Sequence, residues 1–375
     1  MIFLTAISFI AFILITGYSF LIRHYQHVFM KIPVFIPGKP APEKISVVIP
    51  ARNEEKNIGP CLDAILNQDY PTSFMEIIVA DDHSTDHTAA IVQSRGVRLL
   101  SMNNLPEGTV AFKKAALTAA IAASGGDIIV TTDADCLAPP SWLNAIISAK
   151  QSTNAVLVAA PVRMSYGRSF LSKFQSLDFS ILQGITAASV HEGFHSMGNG
   201  ANMAYSKDAF IAVSGFSGVD DIASGDDMLL IHKISKKYPG RIAYAFSPDV
   251  TVETKPEPDW KSFFRQRIRW ASKARKYEDK RIFRVLLLVY AMNLSIFVLM
   301  CICFLSLTHF SLFFLMLLYK TIVEWGFVFQ VLKFFRLQKL MPWFFIAQPF
   351  HVAYTVISGL FGQAGSYQWK GRQVK

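Results

Sequence analysis

Oxygen-bearing side chains are concentrated where hydrophobic runs of the sequence end. Three polar clusters follow such runs: PARNEE (Pro50–Glu55), ADDHSTD (Ala80–Asp86) and TTDADC (Thr131–Cys136). Two carboxylates spaced like those of Asp133 and Asp135 converge only if the chain bends between them. The alternative to a ligand site is that both residues belong to a turn before the following prolines. Hard oxygen ligands suit Mg²⁺ or Mn²⁺, which proteins usually bind together with a phosphate. We therefore predict a divalent metal site at these two residues.

A second acidic cluster, SGDDMLL (Ser224–Leu230), comes after a glycine-rich stretch, HSMGNGANMAY (His195–Tyr205). The centre of that stretch, Gly198–Gly200, allows a ligand or another chain segment to approach the backbone closely. Asp226 and Asp227 open a predicted helix, where acidic residues stabilise the positive end of the helix dipole. Alternatively, one of them is a general base. Spacing alone leaves both interpretations open.

These clusters must be positioned by short β-type runs that alternate with helical ones between Lys44 and about Pro248. Strands are predicted at Ser46–Pro50, Glu76–Asp81, Val97–Leu100 and Asp127–Thr132, and helices at Asn57–Asn67, His87–Ser94 and Lys113–Ala123. The alternation indicates an α/β fold with a doubly wound, mostly parallel sheet. Ligands of such sheets bind beyond the carboxyl ends of the strands, where the polar clusters lie. Asp82 and Asp86 there either cap the following helix or contact a ligand.

Three charge-poor stretches accompany this part of a chain that is 52% hydrophobic. Ile2–Ile22 predicts a retained membrane anchor, because its apolar run is longer than that of a usual signal peptide and no A-x-A site follows. Val285–Leu332 is long enough for two spans joined near Ser306–Ser311. Met341–Gly362 contains two prolines, which favour a bent, re-entrant or interfacial segment.

The net charge of +10 raises nucleic acid as a partner, but the distribution of the basic residues argues against it. Lys and Arg flank the hydrophobic stretches and are absent from the short turn between the two middle spans. This positive-inside pattern predicts a protein of the cytoplasmic membrane, with residues 23–284 and the C-terminus in the cytoplasm. The four cysteines show neither metal-like spacing nor a disulfide framework, in agreement with that location.

In order along the chain, PARNEE, ADDHSTD, TTDADC, SGDDML and QRIRW resemble the family 2 glycosyltransferases. More narrowly, they resemble the membrane-embedded branch with a Gln-x-x-Arg-Trp motif. That branch includes cellulose, chitin and hyaluronan synthases, poly-N-acetylglucosamine synthases and ceramide glucosyltransferases. The resemblance covers about Ile45–Trp270, and the tail SYQWKGRQVK adds a weaker likeness to ceramide-glucosyltransferase-like enzymes. It implies a GT-A fold and an inverting, metal-dependent transfer from a UDP-sugar, with Mg²⁺ or Mn²⁺ as cofactor.

The resemblance also implies roles for individual residues. The residues implied for nucleotide-sugar binding are Pro50, Ala51, Arg52, Asn53, Glu54, Asp82, Lys113 and Asp133. Of these, Asp82 would accept a hydrogen bond from uracil, and Lys113, or its neighbour Lys114, would lie near the diphosphate. Asp135, with Asp133, would hold the metal. Asp227 would be the catalytic base, with Asp226 as the alternative. The residues implied for the diphosphate or the acceptor are Gly198, Asn199, Gly200, Gln266, Arg267, Arg269 and Trp270.

Two positions depart from the family pattern, since His83 stands where glycine is common and Asp226 replaces the usual Glu. In the Gln-x-x-Arg-Trp motif, arginine forks bind diphosphate oxygens in a bidentate geometry that lysine cannot match. Arg269 matches the motif's fixed position, and the flat face of Trp270 suits a sugar or a lipid. The segment is also a basic membrane surface, in which Arg265 and Arg267 are compatible with merely facing anionic lipid.

The predicted organisation has five parts: an N-terminal anchor (1–31), a catalytic domain (44–250), a basic interfacial segment (251–284), a transmembrane hairpin (285–332) and a third hydrophobic segment with a basic tail (341–375). At most three spans follow the catalytic domain, which is few for a channel. We therefore favour single transfer to a membrane-associated, lipid acceptor over a processive polysaccharide synthase subunit. A nucleotidyltransferase would leave RQRIRW unexplained, and intact acids argue against a non-catalytic nucleotide-sugar-binding protein. The apolar stretch Phe170–Ala188 suits either a core helix or an interfacial helix.

Overall fold

The computed structural model describes residues 2–102, 111–194, 197–219, 222, 224–273, 279–363, 367–369 and 372–374. These residues form two compact units. The sheet unit comprises Pro33–Ser165, Ser189–Lys255 and Gln368–Lys375, and the helical unit comprises Met1–Ile32, Tyr166–Ala188 and Pro256–Tyr367. His195 and Ser196 of the glycine-rich stretch, and Lys370 and Lys375 of the tail, lie outside the described residues.

The strands, in chain order, are β1 (Ile45–Ala51), β2 (Met75–Asp81), β3 (Arg98–Ser101), β4 (Ile128–Thr131), β5 (Leu157–Ala159), β6 (Val162–Met164), β7 (Met203–Ser206), β8 (Ile242–Tyr244), β9 (Val252–Thr254), β10 (Tyr367–Trp369) and β11 (Arg372–Val374). A seven-stranded sheet has the order β3-β2-β1-β4-β7-β5-β8. β1 runs parallel to β2 and β4, whereas β7 runs antiparallel to β4 and β5. β6 and β9 pair separately, in parallel. The predicted mostly parallel sheet is confirmed, with β7 as an antiparallel insertion.

The helices, in chain order, are α1 (Ile2–Lys31), α2 (Ile58–Leu66), α3 (Thr88–Ser94), α4 (Phe112–Ala123), α5 (Trp142–Thr153), α6 (Phe170–Glu192), α7 (Lys207–Ala212), α8 (Asp226–Lys237), α9 (Trp260–Ala271), α10 (Lys280–Ile302), α11 (Leu307–Phe334) and α12 (Met341–Gly362). Val47, Val48 and Ile49 of β1 are fully buried. Burial on both faces explains the continuous β-branched run of this strand. In register, Ala51 lies opposite Asp81, and Val48 lies opposite Thr131. The segments that follow β1, β2 and β4 therefore leave the sheet at one edge.

Among the described residues, three helical segments are long and apolar enough to cross a membrane: Lys280–Leu305, Leu307–Phe334 and Gln338–Gly362. The first two correspond to the predicted hairpin, with its turn between Ile302 and Leu307. The third consists of a short 3₁₀ turn, Gln338–Leu340, and α12, which continues through Pro349. Its length permits a crossing of the membrane, whereas its prolines favour a bent or interfacial segment. The predicted N-terminal anchor lies within α1.

Candidate active site

Three charged side chains from distant parts of the sheet unit meet at the carboxyl end of β4. The amino nitrogen of Lys113, in the first turn of α4, lies 2.8 Å from Oδ1 of Asp133 and 3.2 Å from Oδ2 of Asp226. A lysine in the first turn opposes the helix dipole, so these carboxylates must compensate for its placement. Burial alone lowers the pKa of Lys113, but Asp133 and Asp226 outweigh it and raise the pKa. The amino group is therefore protonated at neutral pH.

The neighbouring Lys114 occupies a different environment. Its side chain is 1% exposed, and its amino group donates to the backbone oxygens of Val219 and Ile222, both at 2.6 Å. Successive residues of a helix are separated by a large rotation about its axis, so the two lysines face different neighbours. The alternative assignment of the diphosphate contact to Lys114 is therefore wrong. Lys114 instead holds the loop that precedes α8.

The glycine-rich stretch approaches the start of α8. The backbone nitrogen of Gly200 donates to Oδ2 of Asp227 at 3.3 Å, and a Cβ at Gly200 would lie 3.2 Å from Oδ2 of Asp226. Gly198 packs against the side chain of Ile231 with no room for a Cβ. The two glycines thus let the backbone approach the core at Gly198 and the acids at Gly200 closely. The stretch brings Asp226 and Asp227 to the rim that carries Asp133.

Asn202 fixes this stretch and was not among the predicted residues. Its buried side chain donates to the backbone oxygens of Pro161 and Val250, both at 2.7 Å, and accepts from Nε1 of Trp142 at 2.9 Å. Its backbone nitrogen donates to the oxygen of Asn199 at 2.9 Å. An amide with several buried partners is costly to remove, because each partner would then lack a hydrogen bond. In the sequence, Asn202 is a second asparagine in a glycine-rich stretch, and nothing local indicates its distant hydrogen-bond partners.

A pocket at this rim contains many of the predicted residues. Its lining comprises Pro50, Lys113, Leu117, Thr131, Asp133, Gly200, Met203, Tyr205, Phe216, Asp226 and Leu230. The Thr131 hydroxyl is buried and has no hydrogen-bond partner. A buried polar atom in that state is rare, and a ligand at the rim is one way to satisfy it. The pocket is small and places the three charged side chains beside apolar neighbours.

Asp133 and Asp135 have the donor chemistry for a divalent cation. Among the described residues, no group of three or more His, Cys, Asp or Glu side chains surrounds a metal position. Mg²⁺ commonly uses one or two carboxylates and completes its coordination with phosphate oxygens and water, so two carboxylates suffice. Burial, and then the charges of Asp135 and Asp133, raise the pKa of the Cys61 thiol to about 12. The thiol beside these carboxylates is thus neutral at physiological pH. The predicted ligands are the carboxylate oxygens of Asp133 and Asp135.

The residues that follow β1 and β2 contact one another. Nη1 of Arg52 donates to the backbone oxygen of Asp82 at 2.6 Å and lies 3.9 Å from its carboxylate. The backbone nitrogen of Asp82 donates to the oxygen of Ala51 at 2.8 Å, and that of Asn53 donates to the hydroxyl of Ser84 at 2.9 Å. The residues implied for nucleoside binding are therefore adjacent to one another.

Two neighbouring positions have structural explanations. His83 has a φ of +56°, in the left-handed region where glycine is favoured, which accounts for the glycine common in the family pattern. Oδ1 of Asp86 accepts from the backbone nitrogen of Thr88, the first residue of α3, at 3.0 Å. Asp86 therefore satisfies a backbone N–H of the first turn of α3 from the position before the N-cap residue, His87. The backbone nitrogen of Glu54 donates to the hydroxyl of the same Thr88 at 2.8 Å, which ties the two polar clusters together.

In the helical unit, RQRIRW lies on α9. Nη2 of Arg267 lies 2.9 Å from Oδ2 of Asp178 on α6, and the two side chains are 3% and 4% exposed. The hydroxyl of Tyr354 on α12 donates to Oδ1 of Asp178 at 2.7 Å. The interpretation of Arg267 as a residue that merely faces lipid is therefore wrong, because its charge is buried with a carboxylate. Arg265, by contrast, is exposed.

Gln266 and Trp270 flank the buried arginine. Nε2 of Gln266 donates to Oε1 of Glu257 at 2.9 Å, and the guanidinium carbon of Arg267 lies 4.2 Å from the ring centre of Trp270. That geometry is a cation–π contact, which is stronger when it is desolvated. Arg269 is partly exposed. One face of Trp270 thus supports Arg267, and contacts of Arg269 and Trp270 with a diphosphate or an acceptor stay predictions.

Comparison with known proteins agrees with this geometry. Residues 46–213 match the family model described as glycosyl transferase family 2. The probable glycosyltransferase YdaM of Bacillus subtilis is 28% identical over 255 residues, which are 66% of this chain and 59% of that protein. The beta-monoglucosyldiacylglycerol synthase of Synechocystis sp. is 31% identical over 106 residues, which are 28% of this chain and 22% of the synthase. The chain thus spans less than two thirds of the length of these relatives.

A solved structure is similar over nearly the whole chain. It is the mannosyltransferase PcManGT from Pyrobaculum calidifontis in complex with GDP-Man and Mn²⁺. The match covers 94% of this chain and 99% of the mannosyltransferase chain. The TM-score is 0.56 at 18% sequence identity, so the likeness concerns the fold. The predicted fold class is thereby confirmed. Residues 46–213 therefore resemble the family 2 glycosyltransferases, and the strand order and the likeness to this solved structure give the chain a GT-A fold.

Proposed function

We propose that this protein is an inverting, metal-dependent glycosyltransferase that moves a sugar from a UDP-sugar to a lipid acceptor in a membrane. The observation that carries the proposal is the convergence of Lys113, Asp133 and Asp226 beside Gly200 in one pocket. These residues are distant in sequence and have the charges that a sugar diphosphate and its counter-ion require. The pocket lies where ligands of parallel sheets bind.

The donor side of the proposal rests on the contacts around Asp82. Its backbone is held by Ala51 and Arg52, which fixes its position at the rim. A carboxylate held in a fixed position can accept a charge-assisted hydrogen bond from the imide N–H of uracil. A divalent cation held by Asp133 and Asp135 would supply positive charge to the diphosphate. PcManGT was solved with GDP-Man, so GDP-sugars are included in the same assay.

Inversion requires a base on the acceptor hydroxyl and a stabilised leaving group. We assign the base to Asp227, because Asp226 is already paired with Lys113. Asp227 takes the proton of the acceptor hydroxyl, whose oxygen attacks the anomeric carbon from the face opposite the diphosphate. The bond from that carbon to the diphosphate oxygen breaks at the same time. Lys113 and the backbone near Gly200 balance the charge that develops on the diphosphate.

The acceptor side of the proposal is supported by the helical unit and by one relative. Large apolar side chains of α11 remain exposed, among them Phe314, Leu315 and Ile322 at 53%, 60% and 63%. Apolar surface on helices of this length suits contact with lipid. The synthase from Synechocystis sp. is named for a glycosylated diacylglycerol. A lipid acceptor dissolved in the same bilayer would reach the enzyme by lateral diffusion.

The proposal is tested by incubating membranes that contain the protein with labelled UDP-sugars and GDP-sugars and extracting the lipids. We expect label from at least one UDP-sugar in the organic phase, and none with the Asp133→Asn variant. Label from a GDP-sugar alone would refute the donor assignment. A long, water-soluble, enzyme-digestible polymer would refute single transfer and restore the processive synthase.

A further inference from the structure

The ion pairs of Lys113 have a consequence for metal binding. Its amino group touches Oδ1 of Asp133, an oxygen of the pair of carboxylates that suits the cation. A divalent ion lies about 2 Å from its ligand oxygens. A cation on that oxygen would therefore lie within a few ångströms of the ammonium group. Two positive charges so close together repel each other.

We propose that Lys113 takes the place of the divalent cation at Asp133 when no donor is bound, and that it moves to the diphosphate when the nucleotide arrives with the cation. The proposal rests on the glycosyltransferase function above and deepens it. It makes Lys113 the residue that couples metal binding to nucleotide binding. It assigns to Asp226 the task of holding the lysine close to both positions.

Three observations support the exchange. First, the ammonium lies between two carboxylates, at 2.8 Å from Asp133 and 3.2 Å from Asp226, so leaving one still keeps the other. Second, its side chain is 23% exposed, which leaves one side open toward an arriving anion. Third, the unpartnered Thr131 hydroxyl lines the same pocket, so a polar ligand is expected there. Lysine also has a long flexible stem and three donors, which lets it change partners without movement of the backbone.

The exchange predicts a thermodynamic coupling. In the donor-free protein, Mn²⁺ must displace an internal cation and binds weakly. With UDP present, the lysine has oxygens to bind, and the same Mn²⁺ binds more tightly. By reciprocity, Mn²⁺ must strengthen UDP binding by the same factor. Without the lysine, the cation has no competitor at Asp133 and binds without the nucleotide.

The test measures Mn²⁺ binding to the purified full chain in detergent by the electron paramagnetic resonance signal of free Mn²⁺, with and without UDP. The variant is Lys113→Met. The matched control is Lys150→Met, which removes another lysine of the sheet unit, one whose amino group lies 3.8 Å from the carboxylate of Glu43. UDP binding is measured separately by calorimetry, with and without Mn²⁺.

For the unsubstituted protein and for Lys150→Met, we expect UDP to tighten Mn²⁺ binding about tenfold or more. For Lys113→Met, we expect Mn²⁺ to bind about tenfold more tightly than to the unsubstituted protein without UDP, with most of the UDP effect lost. Equal or weaker Mn²⁺ binding by Lys113→Met without UDP would overturn the inference. If no form binds Mn²⁺ while UDP still binds, both the exchange and metal dependence are refuted, and donor binding stands. If the exchange is observed but no sugar is transferred, the proposed function is refuted and the inference about Lys113 stands.

Discussion

The guanidinium of Arg267 lies 2.9 Å from the carboxylate of Asp178, and both side chains are less than 5% exposed. The hydroxyl of Tyr354 donates to the same carboxylate, and the ring of Trp270 packs on the guanidinium. A buried charge is costly unless an opposite charge lies beside it, so each member of the pair depends on the other. The pair joins α6 to α9 and thereby fixes the helix that carries RQRIRW.

Removing one partner of this pair is predicted to destabilise the helical unit. Asp178→Ala leaves the charge of Arg267 buried and uncompensated, which costs about 3 kcal/mol of unfolding free energy or more. The double variant Asp178→Leu/Arg267→Met removes both charges and is expected to be more stable than Asp178→Ala. Thermal unfolding of the full chain in detergent measures the effect. Arg265→Ala, at an exposed position of the same helix, is the control and is expected to change little. A double variant less stable than Asp178→Ala would contradict the role of the pair.

The metal assignment predicts the behaviour of Asp135→Asn. A neutral amide binds a hard cation poorly, so transfer stimulated by Mg²⁺ or Mn²⁺ should be abolished in this variant. Chelation with EDTA should abolish transfer by the unsubstituted protein, and added Mn²⁺ should restore it. Lipid extraction with a labelled donor measures both. Near-normal turnover by a properly folded Asp135→Asn variant would rule out Asp135 as a metal ligand.

The choice between two adjacent acids predicts different kinetic losses. Asp227→Asn should bind the UDP-sugar normally but lose about two to four orders of magnitude in kcat, the usual contribution of a general base. Asp226→Asn should weaken donor binding, because it removes a partner that holds Lys113 in place. Separate measurements of donor affinity and turnover distinguish the two. If Asp226→Asn binds the donor normally and is the inactive variant, the base is Asp226.

The basic residues on both sides of α12 predict a cytoplasmic C-terminus. Lys333, Arg336 and Lys339 precede this helix, and Arg372 follows it, so a crossing would place one set outside. Labelling of intact cells with a membrane-impermeant maleimide tests the prediction in a background whose four cysteines are replaced. A Val374→Cys variant should react after lysis alone, whereas Ser306→Cys, between α10 and α11, should react from outside. Reaction of Val374→Cys in intact cells would show that α12 crosses the membrane.

The sequence predicted the parts of the site that depend on local pattern. β1, β2 and β4 were predicted to within about a residue, because β-branched runs that end in polar clusters mark buried strands on either side of a ligand-binding edge. The same local pattern gave Asp133 and Asp226 as candidates, and the family resemblance added Lys113. It did not give β7, whose few residues, Met203–Ser206, have no pattern that fixes strand direction.

The tertiary structure decided what depends on contacts between distant residues. It chose Lys113 over Lys114, since the phase of α4 directs one lysine to Asp133 and the other to the oxygens of Val219 and Ile222. It also paired Arg267 with Asp178, an acid that looks unremarkable within an apolar helix. A sequence lists charges in one dimension, whereas the cost of burying a charge is set by the partner that folding brings within 3 Å of it. Composition and spacing therefore determined the class of chemistry, and helix phase and packing determined which side chains are placed to perform it.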